Sequence, residues 1–174
     1  LSKMIDDLLD ASRLQAGGLS LNRADVSLPN LSKRVAERFA VQSKKHLITT
    51  DFPEKFPIVL ADETRVEQVI VNLVSNALRY TARGRVVVGC RRTLQTLQIG
   101  VWDSGSGIPG SKQEEIFHEF VQLENPARTR DRGLGLGLAI VRRLCELLGH
   151  PVTLRSRLGR GADVPAHAGR GQRR

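Results

Sequence analysis

The apolar positions of this chain switch between helical and strand spacing, which predicts a domain that contains both kinds of element. Apolar residues recur every three or four positions over four stretches, which predicts helices at 1–16, 29–43, 62–80 and 134–148. Short apolar runs predict strands at 47–52, 58–60, 85–92, 97–103 and 152–156, with a short extended pair at 19–28 and a short helix at 113–120. Elements in this order fit a mixed sheet covered on one face by helices.

Two glycine-rich segments, thirty residues apart, interrupt this pattern. Residues 103–109 read Asp-Ser-Gly-Ser-Gly-Ile-Pro, and residues 133–141 read Gly-Leu-Gly-Leu-Gly-Leu-Ala-Ile-Val. Glycines let the backbone approach a ligand closely, and the second run opens a predicted helix whose amino end suits phosphate. The two segments together predict nucleotide binding.

The helix predicted at 62–80 has one polar ridge. Gln68, Asn72 and Asn76 recur at intervals of four, so they share a face, and the apolar residues occupy the opposite face. Carboxamide oxygens suit a hard cation such as Mg²⁺, which takes its other ligands from water and nucleotide phosphates.

These three segments, in this order, resemble the catalytic ATP-binding domain of bacterial sensor histidine kinases, within the superfamily that includes gyrase, Hsp90 and MutL. The resemblance runs from about residue 1 to 161. Residues 116–120 match the phenylalanine box of that family, and residues 121–128 resemble its flexible ATP lid. The implied fold is an α+β two-layer α/β sandwich of the Bergerat type, preceded by a short helix.

The resemblance implies a role for the first glycine segment. Asp103 would accept a hydrogen bond from the exocyclic amine of adenine, and Gly105 and Gly107 would line the same pocket. Guanine presents a carbonyl at that position, so a buried carboxylate would select adenine. The alternative for an isolated Asp-Gly pair is a plain β-turn.

The resemblance also implies how phosphate and metal are held. Asn72 would be the Mg²⁺ ligand, and Asn76, one turn later, would support the metal or the phosphates. Arg79 would meet phosphate oxygens and Tyr80 would line the site. Helix packing is the alternative for the asparagines, and solvent exposure is the alternative for Arg79.

The second glycine segment and the lid would enclose the triphosphate. The segment would do so through Gly133, Gly135, Gly137 and Leu138, with helix amides below the phosphates. The lid would stabilise the transferred phosphoryl group through Arg128, Arg130 and Arg132. The alternative is that these arginines are solvated loop residues.

By this resemblance the chain is the catalytic part of a two-component sensor kinase. Residues 1–17 are similar to the end of the second helix of the dimerisation and phosphotransfer hairpin, and an ordinary amphipathic surface helix is the alternative. The γ-phosphoryl group of ATP would pass to a histidine on the upstream part of that hairpin, in the same protein or its dimer mate. A response-regulator receiver domain would then receive it. None of the four histidines lies in an acceptor motif.

Two other functions stay open. A hydrolytic ATPase of the same superfamily is one, but Gln68 stands where we expect the hydrolases to carry a glutamate, and a carboxamide is not a general base. A catalytically degenerate partner-binding module is the other, because the carboxyl end departs from the family pattern.

That departure lies in residues 161–169, where Pro165 interrupts the place of a final strand. Proline donates no ladder hydrogen bond and is confined to edge positions, so we expect this strand to be short, displaced or missing. The expected domains are therefore residues 1–17, residues 18–161 for ATP binding, and a disordered basic tail at 162–174.

The distribution of charge and the small number of aromatic residues argue against a nucleic-acid-binding protein. The net charge is +9, but residues 155–174 hold six arginines and one aspartate, and aromatics make up only 4% of the chain. We therefore expect no nucleic-acid binding. Without a long apolar run or close cysteine spacing, we expect a cytoplasmic domain with free thiols at Cys90 and Cys145, and upstream segments of the full protein could anchor it in a membrane.

Overall fold

The computed structural model describes residues 2–17, 19–92, 96–123 and 134–167. The elements, in chain order, are α1 (Ser2–Gln15), β1 (Ala24–Val26), α2 (Leu28–Gln42), β2 (His46–Asp51), β3 (Val59–Ala61), α3 (Glu63–Tyr80), β4 (Gly84–Arg92), β5 (Leu97–Asp103), α4 (Gly137–Leu148), β6 (Arg155–Ser156) and β7 (Ala162–His167). Two single 3₁₀ turns, Gly110–Lys112 and Glu115–Phe117, take the place of the short helix predicted at 113–120.

The central sheet has five strands in the order β2-β4-β5-β7-β6. β2 and β4 run parallel, and every other neighbouring pair is antiparallel. α2 and α3 pack on this sheet, and α4 packs on α3. Alternate strand residues, such as Val86, Val88 and Cys90 of β4, point into the apolar core between the two layers. The two-layer α/β sandwich predicted from the sequence is confirmed.

The prediction of an extended pair at 19–28 is wrong. Only β1 forms there, and its partner is β3, 35 residues later, with Ala24 opposite Ala61. Leu28 already belongs to α2, because the hydroxyl of Ser27 caps that helix at the amide of Asn30 and Pro29 occupies its first turn.

The prediction that residues 162–167 belong to a disordered tail is also wrong. β7 forms over six residues and lies between β5 and β6, so residues 162–167 belong to the sheet. Pro165 sits opposite Gly100 of β5, while its carbonyl accepts a hydrogen bond from the amide of Thr153 on the other side. The backbone nitrogen and carbonyl of one strand residue point to the same side of the strand. The nitrogen of Pro165, which carries no hydrogen, therefore faces the segment around Thr153, and the hydrogen bonds between β7 and β5 are all retained.

α1 packs against α4 and is also hydrogen-bonded to α3. The amide of Gln68 in α3 donates to the carboxylate of Asp10 at 2.7 Å, and Arg65 donates to the oxygen of the same Gln68 side chain at 3.1 Å. Ile5, Leu8 and Leu9 remain about half exposed. No helix among the described residues is both long and apolar enough to span a bilayer.

α3 begins at a buried cap, which supports a stability prediction. The carboxylate of Asp62 accepts hydrogen bonds from the amides of Arg65 (3.1 Å) and Asn22 (2.9 Å). We expect Asp62→Ala to lower the free energy of unfolding by about 1–2 kcal/mol. Ser27→Ala, which removes one longer cap bond at an exposed helix end, should cost about 0.5 kcal/mol. Urea unfolding measures both, and equal losses would contradict the role given to the Asn22 bond.

Candidate nucleotide-binding site

Asp103 is buried because of its place in β5. Leu97, Ile99 and Val101 point inward from this strand, and Asp103 continues the same alternation at its end, with 7% of the residue exposed. Its Oδ1 accepts hydrogen bonds from the amide of Gly105 at 2.8 Å and from the hydroxyl of Thr81 at 3.4 Å. The strand therefore places a buried carboxylate beside the end of α3.

Burial raises the pKa of the Asp103 carboxyl above its ordinary value of 3.8, although hydrogen bonds from Gly105, Ala162 and Thr81 act in the opposite direction. The folded chain then binds this proton more tightly than the unfolded chain. Stability relative to Asp103→Asn should therefore fall as the pH rises from 3.8 through the raised pKa, and stay level above it. Urea unfolding of both proteins across this window measures the difference, and a rise with pH would contradict it.

The first glycine turn is pressed against the end of α3. A Cβ atom on Gly105 would lie 2.5 Å from the carbonyl oxygen of Tyr80 and 2.8 Å from Oδ1 of Asp103. Gly107 has a φ of +72°, and a Cβ there would lie 2.1 Å from the carbonyl oxygen of Arg157. Neither position has room for a side chain, so both glycines are needed for the turn itself.

Asn72 and Asn76 converge on the first residue of α4. A Cβ atom on Gly137 would lie 3.6 Å from Oδ1 of Asn72 and 3.8 Å from Oδ1 of Asn76. The first amides of a helix have no partner within the helix, and no side-chain hydrogen bond caps this one in the described part of the chain. Two carboxamide oxygens and an open helix end thus meet at one place, which suits a phosphate group with its cation.

Gln68 does not lie with the two asparagines, although it shares their spacing on α3. Its side chain is engaged with Asp10 of α1 and Arg65, and it takes no part in the meeting of Asn72 and Asn76 at Gly137. Gln68 is therefore no guide to whether the site can hydrolyse ATP. Asn72 is the side chain that meets Gly137 together with Asn76, and it is also a carboxamide.

The second glycine segment is fastened to the phenylalanine box. The amide of Phe120 donates to the carbonyl of Gly135 at 3.1 Å, and both residues have positive φ, +64° and +72°. A Cβ on Gly135 would lie 2.8 Å from the carbonyl of Val121. Because of this turn, α4 begins at Gly137 and not at Leu134 as predicted. Leu138 packs partly on the core.

The remaining predicted site residues divide into two groups. Arg79 and Tyr80 lie, half-buried, in the last turn of α3, where the Tyr80 carbonyl contacts the first glycine turn. Arg128, Arg130, Arg132 and Gly133 lie outside the described residues. Among the described residues no group of three or more histidine, cysteine, aspartate or glutamate side chains is placed to hold a metal ion. A cation here would rely on the asparagine oxygens and on the phosphates of its nucleotide.

Thr81 is a residue of the candidate site that no sequence motif predicts, and its side chain contacts the carboxylate of Asp103. Thr81 is the residue after α3, and none of its surface is exposed. Its amide donates to the carbonyl of Ala77, and its hydroxyl donates to Asp103, 22 positions later. A polar residue directly after a predicted helix is the signal that was available, because such a residue sits at the helix end.

One family model and several curated proteins match this chain. The family described as histidine kinase-, DNA gyrase B- and HSP90-like ATPase matches residues 61–168, which include β7. The adaptive-response sensory kinase SasA of Synechocystis sp. is 38% identical over 150 residues, covering 84% of this chain and 39% of the relative. The SasA of Thermosynechococcus vestitus is 35% identical, covering 93% of this chain and 43% of the relative. The chain thus spans about two fifths of the length of these relatives.

Solved structures give the same result. Full-length ShkA in complex with AMPPNP superposes with a TM-score of 0.87 and 30% identity over 98% of this chain and 36% of that chain. The catalytic domain of the histidine kinase ThkA superposes with a TM-score of 0.73 and 25% identity over 86% of this chain and 96% of that chain. The chain therefore belongs to the histidine kinase-, DNA gyrase B- and HSP90-like ATPase family, and within that family it is similar to sensory kinases and to the catalytic domain of a histidine kinase.

Proposed function

We propose that this domain binds Mg-ATP with adenine at Asp103 and the phosphates at Gly137, and transfers the γ-phosphoryl group to a histidine. The observation that carries the proposal is the arrangement along α3. The carboxyl end of this helix contacts the glycine turn after Asp103, while its middle presents Asn72 and Asn76 to the start of α4. One rigid helix thus fixes the distance between a base pocket and a phosphate site.

At the base pocket, Asp103 selects adenine. The carboxylate is held by donors from Gly105 and Thr81, so its orientation is set before a nucleotide arrives. The amine of adenine can donate to it, whereas the carbonyl of guanine would face it as a second acceptor. Gly105 and Gly107 allow the tight turn that forms this wall of the pocket, because a side chain on either would clash with neighbouring atoms.

At the phosphate site, the two asparagines hold the cation. Asn72 is the direct Mg²⁺ ligand, Asn76 supports the metal or the phosphates, and the amides of Gly137 and Leu138 face the phosphate oxygens. Arg79 pairs with phosphate, and Tyr80 lines the site. The bound Mg²⁺ would neutralise the charge that develops on the phosphates during transfer.

The lid supplies the remaining positive charge. Arg128, Arg130 and Arg132 stabilise the phosphoryl group in transit, and Gly133 and Gly135 let the lid fold over the triphosphate. Phe120 supports this role because its amide ties the start of the lid to Gly135 at the lid's end. Closure of such a segment excludes water from the γ-phosphate.

The transfer itself is a substitution at phosphorus. An imidazole nitrogen of the acceptor attacks the γ-phosphorus, a nitrogen–phosphorus bond forms, and the bond to the bridging oxygen breaks, so that ADP leaves with both electrons. Hydrolysis would instead need a base to take a proton from water. The side chains that meet at Gly137 are carboxamides, which cannot do this.

The acceptor comes from outside the site described here. His46 has hydrogen bonds at both ring nitrogens, to Ser43 and Thr81, and so has no lone pair free for attack. We propose that α1 is the end of a dimerisation and phosphotransfer hairpin, which is supported by its half-exposed apolar residues Ile5, Leu8 and Leu9. The acceptor lies on that hairpin, in the same protein or its dimer mate, and a response-regulator receiver domain takes the phosphoryl group next. The domain works in the cytoplasm, where ATP is available.

Calorimetric titration tests the binding half of the proposal. We expect the folded chain to bind ATP saturably at one site, more tightly with Mg²⁺ present, and to bind GTP far more weakly. A chain that is folded by circular dichroism and binds no ATP would contradict the proposal and favour a degenerate partner-binding module.

A further inference from the structure

We propose that His46 is a positioning residue of the adenine pocket, which acts on Asp103 through Thr81. The inference rests on the proposed role of Asp103 in binding adenine. His46 is the first residue of β2, 35 positions before Thr81 in the chain, and its half-buried ring lies between the ends of two helices.

The backbone carbonyl of Thr81 needs a hydrogen-bond donor. The last carbonyls of a helix have no partner within the helix, and a buried one left unpaired is costly. Thr81, the fully buried cap residue of α3, has such a carbonyl. Nε2 of His46 lies 2.6 Å from the Thr81 carbonyl oxygen, so the histidine supplies the donor that this helix end requires.

The partners of the His46 ring determine its protonation pattern. A carbonyl can only accept, so Nε2 carries the hydrogen, and in the neutral ring Nδ1 is then an acceptor. The hydroxyl of Ser43 lies 2.5 Å from Nδ1 and donates to it. Ser43 is the cap residue at the carboxyl end of α2, and its amide donates to the carbonyl of Phe39. One imidazole therefore ties the end of α2 to the end of α3.

Thr81 connects His46 to the pocket. The Thr81 hydroxyl donates to Oδ1 of Asp103, and the Gly105 turn lies against Thr81 and Tyr80, with a Gly105 Cβ only 2.9 Å from the Thr81 hydroxyl oxygen. A shift of the end of α3 would move the donor to Asp103 and the wall beside it together. His46 thus sets the position of the carboxylate without touching the nucleotide.

The test compares two replacements of His46 in the 174-residue chain, with ATP dissociation constants measured by calorimetry. His46→Leu leaves the Thr81 carbonyl unpaired and should raise the dissociation constant for ATP about 10-fold. His46→Gln can still donate to Thr81 and accept from Ser43, so it should return the constant to within about 3-fold of the unmodified chain. Ser43→Ala removes only the bond that fixes Nδ1 and should raise the constant about 3-fold, which keeps the test available if His46→Leu does not fold.

Three further measurements separate positioning from general destabilisation. Val59→Ala removes core packing in the small β1–β3 sheet and should leave the ATP affinity of the folded chain unchanged. The ATP dissociation constant of the double variant Thr81→Val/His46→Leu should lie within about 2-fold of that of the weaker-binding single variant. Both replacements act on the same link to Asp103, so their effects should not add. Nitrogen NMR of the ring should show the Nε2–H form.

The outcomes divide clearly. Additive losses in the double variant, an Nδ1–H ring, or unchanged ATP binding by His46→Leu would overturn this inference. If the unmodified chain binds ATP and Asp103→Asn weakens that binding while His46→Leu does not, only the inference about His46 fails. If the unmodified folded chain binds no ATP, the proposed function fails with it.

Discussion

Asp103→Asn should weaken ATP binding about 100-fold while the chain stays folded. The carboxylate offers acceptors on both oxygens, and Oδ1 is already taken by the donors of Gly105 and Thr81. An asparagine that keeps those two bonds must turn its amide group toward adenine, so that a donor meets the donor of the exocyclic amine. Calorimetry with ATP measures the loss, and thermal unfolding shows that the variant is folded.

The matched control is Asp163→Asn on the neighbouring strand. Asp163 pairs across the sheet with Trp102, whose side chain points away from the buried face that carries Asp103. The same chemical change there should alter the ATP dissociation constant less than about 2-fold. If both variants bind ATP equally well, Asp103 does not select adenine.

Asn72→Ala should slow phosphoryl transfer about 100- to 1000-fold, the range seen when one positioned group that stabilises the transition state is removed. Asn72 is only 5% exposed, and its oxygen faces Gly137 together with that of Asn76, so the loss should appear mainly when Mg²⁺ is present. ATP affinity measured in a chelator should change less than about 3-fold, because the base pocket is untouched. The rate is measured with a separately produced two-helix hairpin that carries the acceptor histidine.

Gln68→Ala is the control on the same helix. Gln68 lies one turn before Asn72 but is bound to Asp10 and Arg65, away from Gly137. We expect its replacement to change the transfer rate less than about 3-fold. If Gln68→Ala slowed phosphoryl transfer as much as Asn72→Ala, the proposed position of the metal would be wrong and Gln68 would belong to the phosphate site.

The sequence predicted those features of the candidate site that depend on local pattern. The alternation of β5 carries Asp103 to the buried face, and the four-residue spacing on α3 brings Asn72 and Asn76 to one side. Both follow from the geometry of a single element, so a single segment of sequence is enough to predict them. The two-layer fold was predictable for the same reason, from the order of the elements.

Other features depend on contacts between distant segments and could not be predicted from local pattern. Gln68 shares the spacing of the asparagines, yet Asp10, 58 positions earlier, holds it elsewhere. Pro165 reads as a strand breaker, but its missing donor falls on the side where the edge strand ends. The link from His46 through Thr81 to Asp103 joins two strands and the end of a helix. In each case the partner residue decides the role, and the sequence does not show which residue that partner is.

The fate of the γ-phosphate tests the central claim most directly. The chain is mixed with γ-labelled ATP, Mg²⁺ and the acceptor hairpin, beside a hairpin in which the acceptor histidine is replaced. We predict that the label appears on the first hairpin only, as an acid-labile and base-stable phosphate, with little release of inorganic phosphate. Inorganic phosphate released at the same rate with either hairpin, and no labelled histidine, would contradict the account and show a hydrolytic ATPase instead.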